Sequence, residues 1–280
     1  MIRPVQPIAT VELFPGLSAQ LLSVLRACSG DDWERATACP SWSVRDVAAH
    51  LLGGNIGRLS SGRDELRQRR RAGRTLSYDA LVRLINRRNA EWVRVARSIS
   101  PNLLIDFLEL TDGQLYDFFK MLDPQAPSTI AVAWAGDSQS PCWFDIAREY
   151  TEKWLHHQHI REALGQPVLV QRQWLFPVLD TFMRALPHAY RAIEAVDEAA
   201  VGVAVSGAAG GDWSLVRQNG AWQLLSGAAP HADARVRLDQ DVAWRLFTKG
   251  IGRQAAESRV QIDGDRALGA RVLDVVAIMA

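Results

Sequence analysis

REYTEKWLHHQHIREALG, from Arg148 to Gly165, has no proline and no internal glycine and is rich in Glu, Leu, Ala, Arg and Lys. It is therefore predicted to be helical. At 100° per residue, Glu149, Glu152, His156 and His159 share an arc of roughly 80°. Trp143, Ile146, Ala147, Tyr150 and Trp154 form a separate apolar stripe. One face is expected to pack into a core while an adjoining one gathers carboxylates and imidazoles. Glu152 and His156 stand one turn apart, the spacing at which two side chains of a helix reach one metal ion. A closed site needs at least one more donor from elsewhere. His157, about 100° around from His156, is expected at the surface.

The segment CPSWSVRDVAAHLLGGN, Cys39 to Asn55, supplies a partner helix. Ser43 followed by Asp46 three residues on resembles a capping box. Val44, Val47, Ala48 and Leu51 then recur at helical spacing, with His50 roughly 60° from Val47 at the rim of that row. Further helices are predicted over Val11–Cys28, Ser77–Ile99 and Asn102–Leu122, the last with a break near Gly113. Asn89 lies near the apolar face of the second of these, as a buried hydrogen-bonding residue. Asp123–Cys142 reads as a loop. Seven arginines fall between Arg58 and Arg74. They read as a solvated loop or helix end, with a basic lid or anion-binding patch as the alternative. The first 165 residues thus read as a helical bundle, an architecture that builds metal sites from inward carboxylates and imidazoles on facing helices. Surface Glu–His pairs and structural histidines are the competing reading of the same pattern.

After Gly165-Gln166-Pro167 the texture changes. A helix carries Trp174, Phe176, Val178, Leu179, Phe182 and Met183. Strand patterns follow in VGVAVSG and DWSLVRQNGAWQLLSG, where Asn219-Gly220 marks a hairpin. ADARVRLD reads as a strand, QDVAWRLFTKG as a helix ending at Gly250, RVQIDGD as a short strand, and Arg266–Met279 as a final helix. Domains are expected at 1–167 and 168–280, the second a small α+β domain of about 110 residues.

The 280 residues suffice for two cores. A net charge of +1 argues against a protein that coats nucleic acid. MIRPVQPIATVELFPG carries three prolines and no continuous apolar core, unlike a signal peptide. No apolar run is long enough to span a bilayer. Cys28, Cys39 and Cys142, odd in number and without a CxxC pair, fit thiols in a reducing cytoplasm. The ten tryptophans are expected mainly in the core or along cleft walls.

PSWSVRDVAAHLLGGN and TEKWLHHQHIREALGQP together resemble the metal-binding amino-terminal domain of the mycothiol-dependent maleylpyruvate isomerase family, a branch of the DinB-like four-helix bundles. ARVRLDQDVAWRLFTKG and VQIDGDRALGARVLDVVAIMA look like the sterol-carrier-like α+β domain often fused to it. The resemblance implies that His50, Glu152 and His156 hold a divalent cation, with zinc the expected ion. It also implies mycothiol or another small thiol as cosubstrate. Two His and one Glu leave a tetrahedral ion one open position. A thiol entering there loses its proton and becomes a nucleophile. The expected activity is that of an isomerase or thiol S-transferase acting on an electrophilic small molecule. Where the family commonly has an acidic residue, this chain has His159. That residue is read as a catalytic acid or base, with a fourth ligand, a partner behind the ligands or a tolerated change as alternatives. Arginines from the Arg58–Arg74 stretch or the second domain would grip a carboxylate substrate. The rivals are a non-catalytic metal or small-ligand module and a nucleic-acid-linked stress protein. A cytoplasmic monomer or homodimer is expected, without nucleic-acid or membrane partners.

Overall fold

The computed structural model describes residues 2–66 and 77–278. Ten α-helices and six strands are found among them: β1 Arg3–Pro4, α1 Phe14–Arg26, α2 Val44–Arg58, α3 Tyr78–Ala96, α4 Pro101–Met121, α5 Cys142–Ala163, α6 Arg172–Met183, α7 Leu186–Tyr190, β2 Ala200–Ser206, β3 Gly211–Gln218, β4 Ala221–Ser226, β5 Ala234–Asp239, α8 Gln240–Phe247, α9 Arg253–Glu257, β6 Gln261–Gly264 and α10 Arg266–Gly269. They divide into two compact units. One comprises Thr10–Thr129 and Glu149–Leu169; the other contains Ile130–Arg148, the sheet and the first residues of the chain.

In the helical unit, α2 packs against α3 and α4, and α1 against α4. The start of α2 follows the sequence closely. Ser43 accepts from the Asp46 N–H, and the Asp46 carboxylate accepts from the Ser43 N–H, completing a capping box. Val44, Val47, Ala48 and Leu51 are buried beside Leu25, Leu104 and Leu108. Gly53 has a packing reason. A Cβ there would lie 2.4 Å from Trp92 Nε1, and that indole donates to the Ala49 carbonyl at 2.7 Å. α4 runs unbroken through Gly113, contrary to the expected break, because a single glycine weakens a helix by only about 1 kcal/mol. Asn89 is half-buried rather than buried. Arg58 also departs from expectation: it is buried, with its guanidinium 5.5 Å from the Phe119 ring centre. Arg63 pairs with Asp64 and reaches Gln114. The arginines from Arg67 to Arg74 lie outside the described residues.

The second unit is built on a mixed six-stranded sheet, ordered β1-β4-β3-β2-β5-β6. β2 and β5 are parallel and the other pairs antiparallel. Val201, Val203 and Val205 alternate into the core, as do Ala234, Val236 and Leu238 across the parallel pair. Asn219 and Gly220 both have positive φ, 52° and 76°, as a two-residue turn matching strand twist requires. The last helix is much shorter than expected. α10 ends at Gly269, a 3-10 turn covers Ala270–Asp274, and the chain then extends. The run beyond is rich in β-branched residues, and the Ala277 N–H donates to the Phe247 carbonyl instead of continuing a helix. No helix among the described residues is long and apolar enough to cross a membrane.

Asp46 also ties α2 to the end of α3. Arg97 Nε and Nη2 donate to its two oxygens at 2.9 and 2.8 Å. Burial resists ionisation, but Arg97 and the Ser43 N–H outweigh it and hold the carboxyl below its usual pKa. A carboxylate whose pKa falls on folding stabilises the fold above its unfolded pKa, and loses that effect as pH drops through the folded value. Asp46→Ala is expected to cost at least the ~1 kcal/mol of a lost cap at neutral pH. Urea unfolding at pH 7 and in acid checks this, with the gap to wild type narrowing on acidification.

Candidate metal centre

α2 and α5 bring three side chains together. His50 Nε2 lies 3.1 Å from Glu152 Oε1, and His156 Nε2 lies 3.2 Å from the same oxygen. The two imidazoles meet edge to face, with ring centres 4.6 Å apart. Trp42 walls the outer side of His50 at 5.1 Å between ring centres. Zinc with nitrogen and oxygen donors at about 2.0–2.2 Å sets them about 3.4 Å apart in a tetrahedron. The observed separations are close to that, so the donor set fits a divalent cation of this size.

The electrostatics suit the ligating forms. Burial opposes ionisation of Glu152, yet hydrogen bonding and charge from His156 and His50 hold its pKa well below the usual range. Burial lowers the His156 pKa, more than the attraction of Glu152 raises it. A carboxylate and a neutral imidazole are the forms that bind metal. The Glu152 side chain is 37 % exposed, against 12 % and 11 % for those of His50 and His156.

His159 lies one turn on, its ring centre 5.3 Å from that of His156. Its Nδ1 is 3.1 Å from Cys39 Sγ, and His156 Nδ1 is 3.7 Å from the same sulfur. Cys39 is a site residue that the sequence reading missed, having been treated only as a thiol in a reducing compartment. Burial pushes its thiol pKa up to about 11. An open hollow of about 360 Å³ lies alongside, lined by Thr37, Cys39, Trp42, Arg45 and Arg97 among others. No disulfide joins the three cysteines.

His157 corrects another expectation, for it is fully buried. It follows Tyr150 by seven residues, close to two full turns, and so falls within the apolar stripe rather than outside it. Burial and the neighbouring Arg161 push its pKa down to about 3, and its Nε2 accepts from Arg161 Nε at 3.0 Å. Glu149 is buried near Gly54 and belongs to neither metal-donor group found among the described residues.

A polar network also escaped the sequence reading. Lys153 Nζ donates to Asp112 Oδ1 at 2.8 Å and to Asn55 Oδ1 at 2.6 Å. Asn55 Nδ2 donates to Asp112 and Thr111, and Ser18 Oγ donates to the other Asp112 oxygen. These groups join α1, α2, α4 and α5, with the Lys153 and Asp112 side chains only 11 % and 10 % exposed.

A helical unit offering two imidazoles and a carboxylate to one point, in a chain that also carries a mixed sheet, defines a helical protein with a candidate cation centre. The family described as "Mycothiol maleylpyruvate isomerase N-terminal domain" is matched over residues 14–161, more than half of the chain, and the protein belongs to that family. The fold is similar to the crystal structure of the mycothiol-dependent maleylpyruvate isomerase, with a TM-score of 0.52 and 10 % identity over 92 % of this chain and 93 % of that one. A histidine-to-alanine mutant of that isomerase matches with the same TM-score and coverage at 9 % identity. No curated protein sequence matches the chain.

Removing Asp112 would leave the Lys153 ammonium largely buried without its counter-charge. Asp112→Ala is expected to cost about 3–5 kcal/mol. Glu109→Ala, which removes an exposed partner of Arg26 on the same helix, is expected to be nearly neutral. Denaturant unfolding of both variants measures the contrast.

Proposed function

We propose that this protein is a divalent-metal-dependent enzyme of small-thiol chemistry, an isomerase or S-transferase that uses mycothiol or a similar thiol on an electrophilic small molecule. The observation that carries the reading is the approach of His50, Glu152 and His156 in a member of this family. These three residues would hold the cation, with zinc the ion their chemistry suits. Such an ion supplies Lewis acidity that favours thiolate over thiol at neutral pH. Glu152 contributes the negative charge of the donor set, while His50 and His156 contribute neutral nitrogens. His159 is assigned a proton-moving role at its imidazole, beside the donors and outside the His50–Glu152–His156 set. Trp42 shields one side of His50 from water. In finer detail, we read the helical unit as a DinB-like four-helix bundle and the sheet region as sterol-carrier-like. The protein is read as cytoplasmic, with small molecules as its partners.

Elemental analysis of the purified protein is expected to find a divalent metal. Glu152→Ala should lower metal affinity at least about tenfold, since even partners behind metal ligands are worth that much. His50→Ala is expected to retain the fold by circular dichroism while losing thiol-dependent turnover of unsaturated acids. Unchanged metal content and turnover in both variants would refute the proposal. A thiol and acceptor left chemically unchanged by wild type would point to a binding module.

A further inference from the structure

The His156 ring has a second nitrogen, and it faces a different set of donors. Cys39 Sγ lies 3.1 Å from His159 Nδ1 and 3.7 Å from His156 Nδ1. The three atoms fall within 4.8 Å of one another. With metal–sulfur near 2.3 Å and metal–nitrogen near 2.0–2.1 Å, a tetrahedral ion sets sulfur and nitrogen about 3.6 Å apart. The two measured distances bracket that value.

The sulfur is held by a closed turn. The Thr37 N–H and hydroxyl both donate to the Trp42 carbonyl, the Cys39 N–H donates to Thr37 Oγ1, and the Trp42 N–H donates to the Cys39 carbonyl. Ala36 and Ser43 bridge across the base of this turn. The hollow lined by Cys39 offers a route for an ion from solvent.

We propose that Cys39 Sγ, His159 Nδ1 and His156 Nδ1 form a second metal site, selective for thiophilic divalent cations and alternative to the His50–Glu152–His156 set. Sulfur in place of carboxylate shifts preference toward softer ions. The alternation follows from His156 itself. A neutral imidazole has one lone pair, on Nε2 for the first set or on Nδ1 for the second. Ligation at the second set releases the Cys39 thiol proton to solvent and leaves the His156 ring proton on Nε2.

Cd²⁺ titration followed by ultraviolet absorption tests the inference. A sulfur-to-cadmium charge-transfer band is expected to saturate at one equivalent per chain. It should persist in Glu152→Ala and Cys28→Ser, vanish in Cys39→Ser, and weaken in His159→Asn. No band in wild type, or an undiminished band in Cys39→Ser, would overturn the second site. Two equivalents per chain with the band intact would overturn the alternation. The proposed function fails separately: loss of the band in Cys39→Ser alongside unchanged metal content and turnover in Glu152→Ala and His50→Ala would leave this site standing without that activity.

Discussion

One carboxylate oxygen, Glu152 Oε1, stands between two imidazole nitrogens, that of His156 one turn away on its own helix and that of His50 from a segment 102 residues earlier in the chain. Two histidines brought this close without a negative charge between them would each resist protonation and gain little from their proximity. With the carboxylate between them, the three groups form a compact donor set at the edge of the helical unit. Moving either helix by half a turn would disperse it. The geometry therefore makes demands on the rest of the unit that go well beyond the three residues.

Two kinds of restraint meet those demands. At the start of α2, the capping box and the Asp46–Arg97 pair fix where that helix begins, and hence which of its residues reaches α5. Five residues beyond His50 on α2, the Asn55–Asp112–Lys153 network links the helices through groups sheltered from solvent. Such a network contributes little net stability compared with apolar packing, but it tolerates few alternative registers. Apolar residues such as Leu25, Leu52, Leu104 and Leu108 supply the bulk of the burial, and the polar links set the alignment.

Local signals were readable in the sequence because their physics is local. The Ser43–Asp46 cap, the Asn219-Gly220 turn and the alternation of Val201, Val203 and Val205 each depend on neighbours a few residues away. The Glu152–His156 pair and the rim position of His50 were likewise visible from helical periodicity, while their meeting in space drew on a family resemblance. Cys39 was hidden because it reaches α5 from a turn, 117 residues before His156. His157 was misplaced because the middle of α5 is buried on more than one side, and 100° away from one buried residue is then no route to solvent. The shortness of the last helix had a readable cause in its β-branched run, although the contact with Phe247 that draws the chain away did not. The Asp112–Lys153 pair required knowing how α4 and α5 align.

The outermost strand of the sheet has a bearing on what its rim offers to another chain. β1 is only two residues long, pairs with Leu225 and Ser226, and ends in Pro4, which has no N–H to offer. A rim finished by a proline gives an incoming extended peptide little purchase, because the next donor in the ladder is missing. Where β1 covers β4, at Leu225 and Ser226, the pyrrolidine ring thus takes one donor off that short stretch of rim, beside the exposed charge of Arg3.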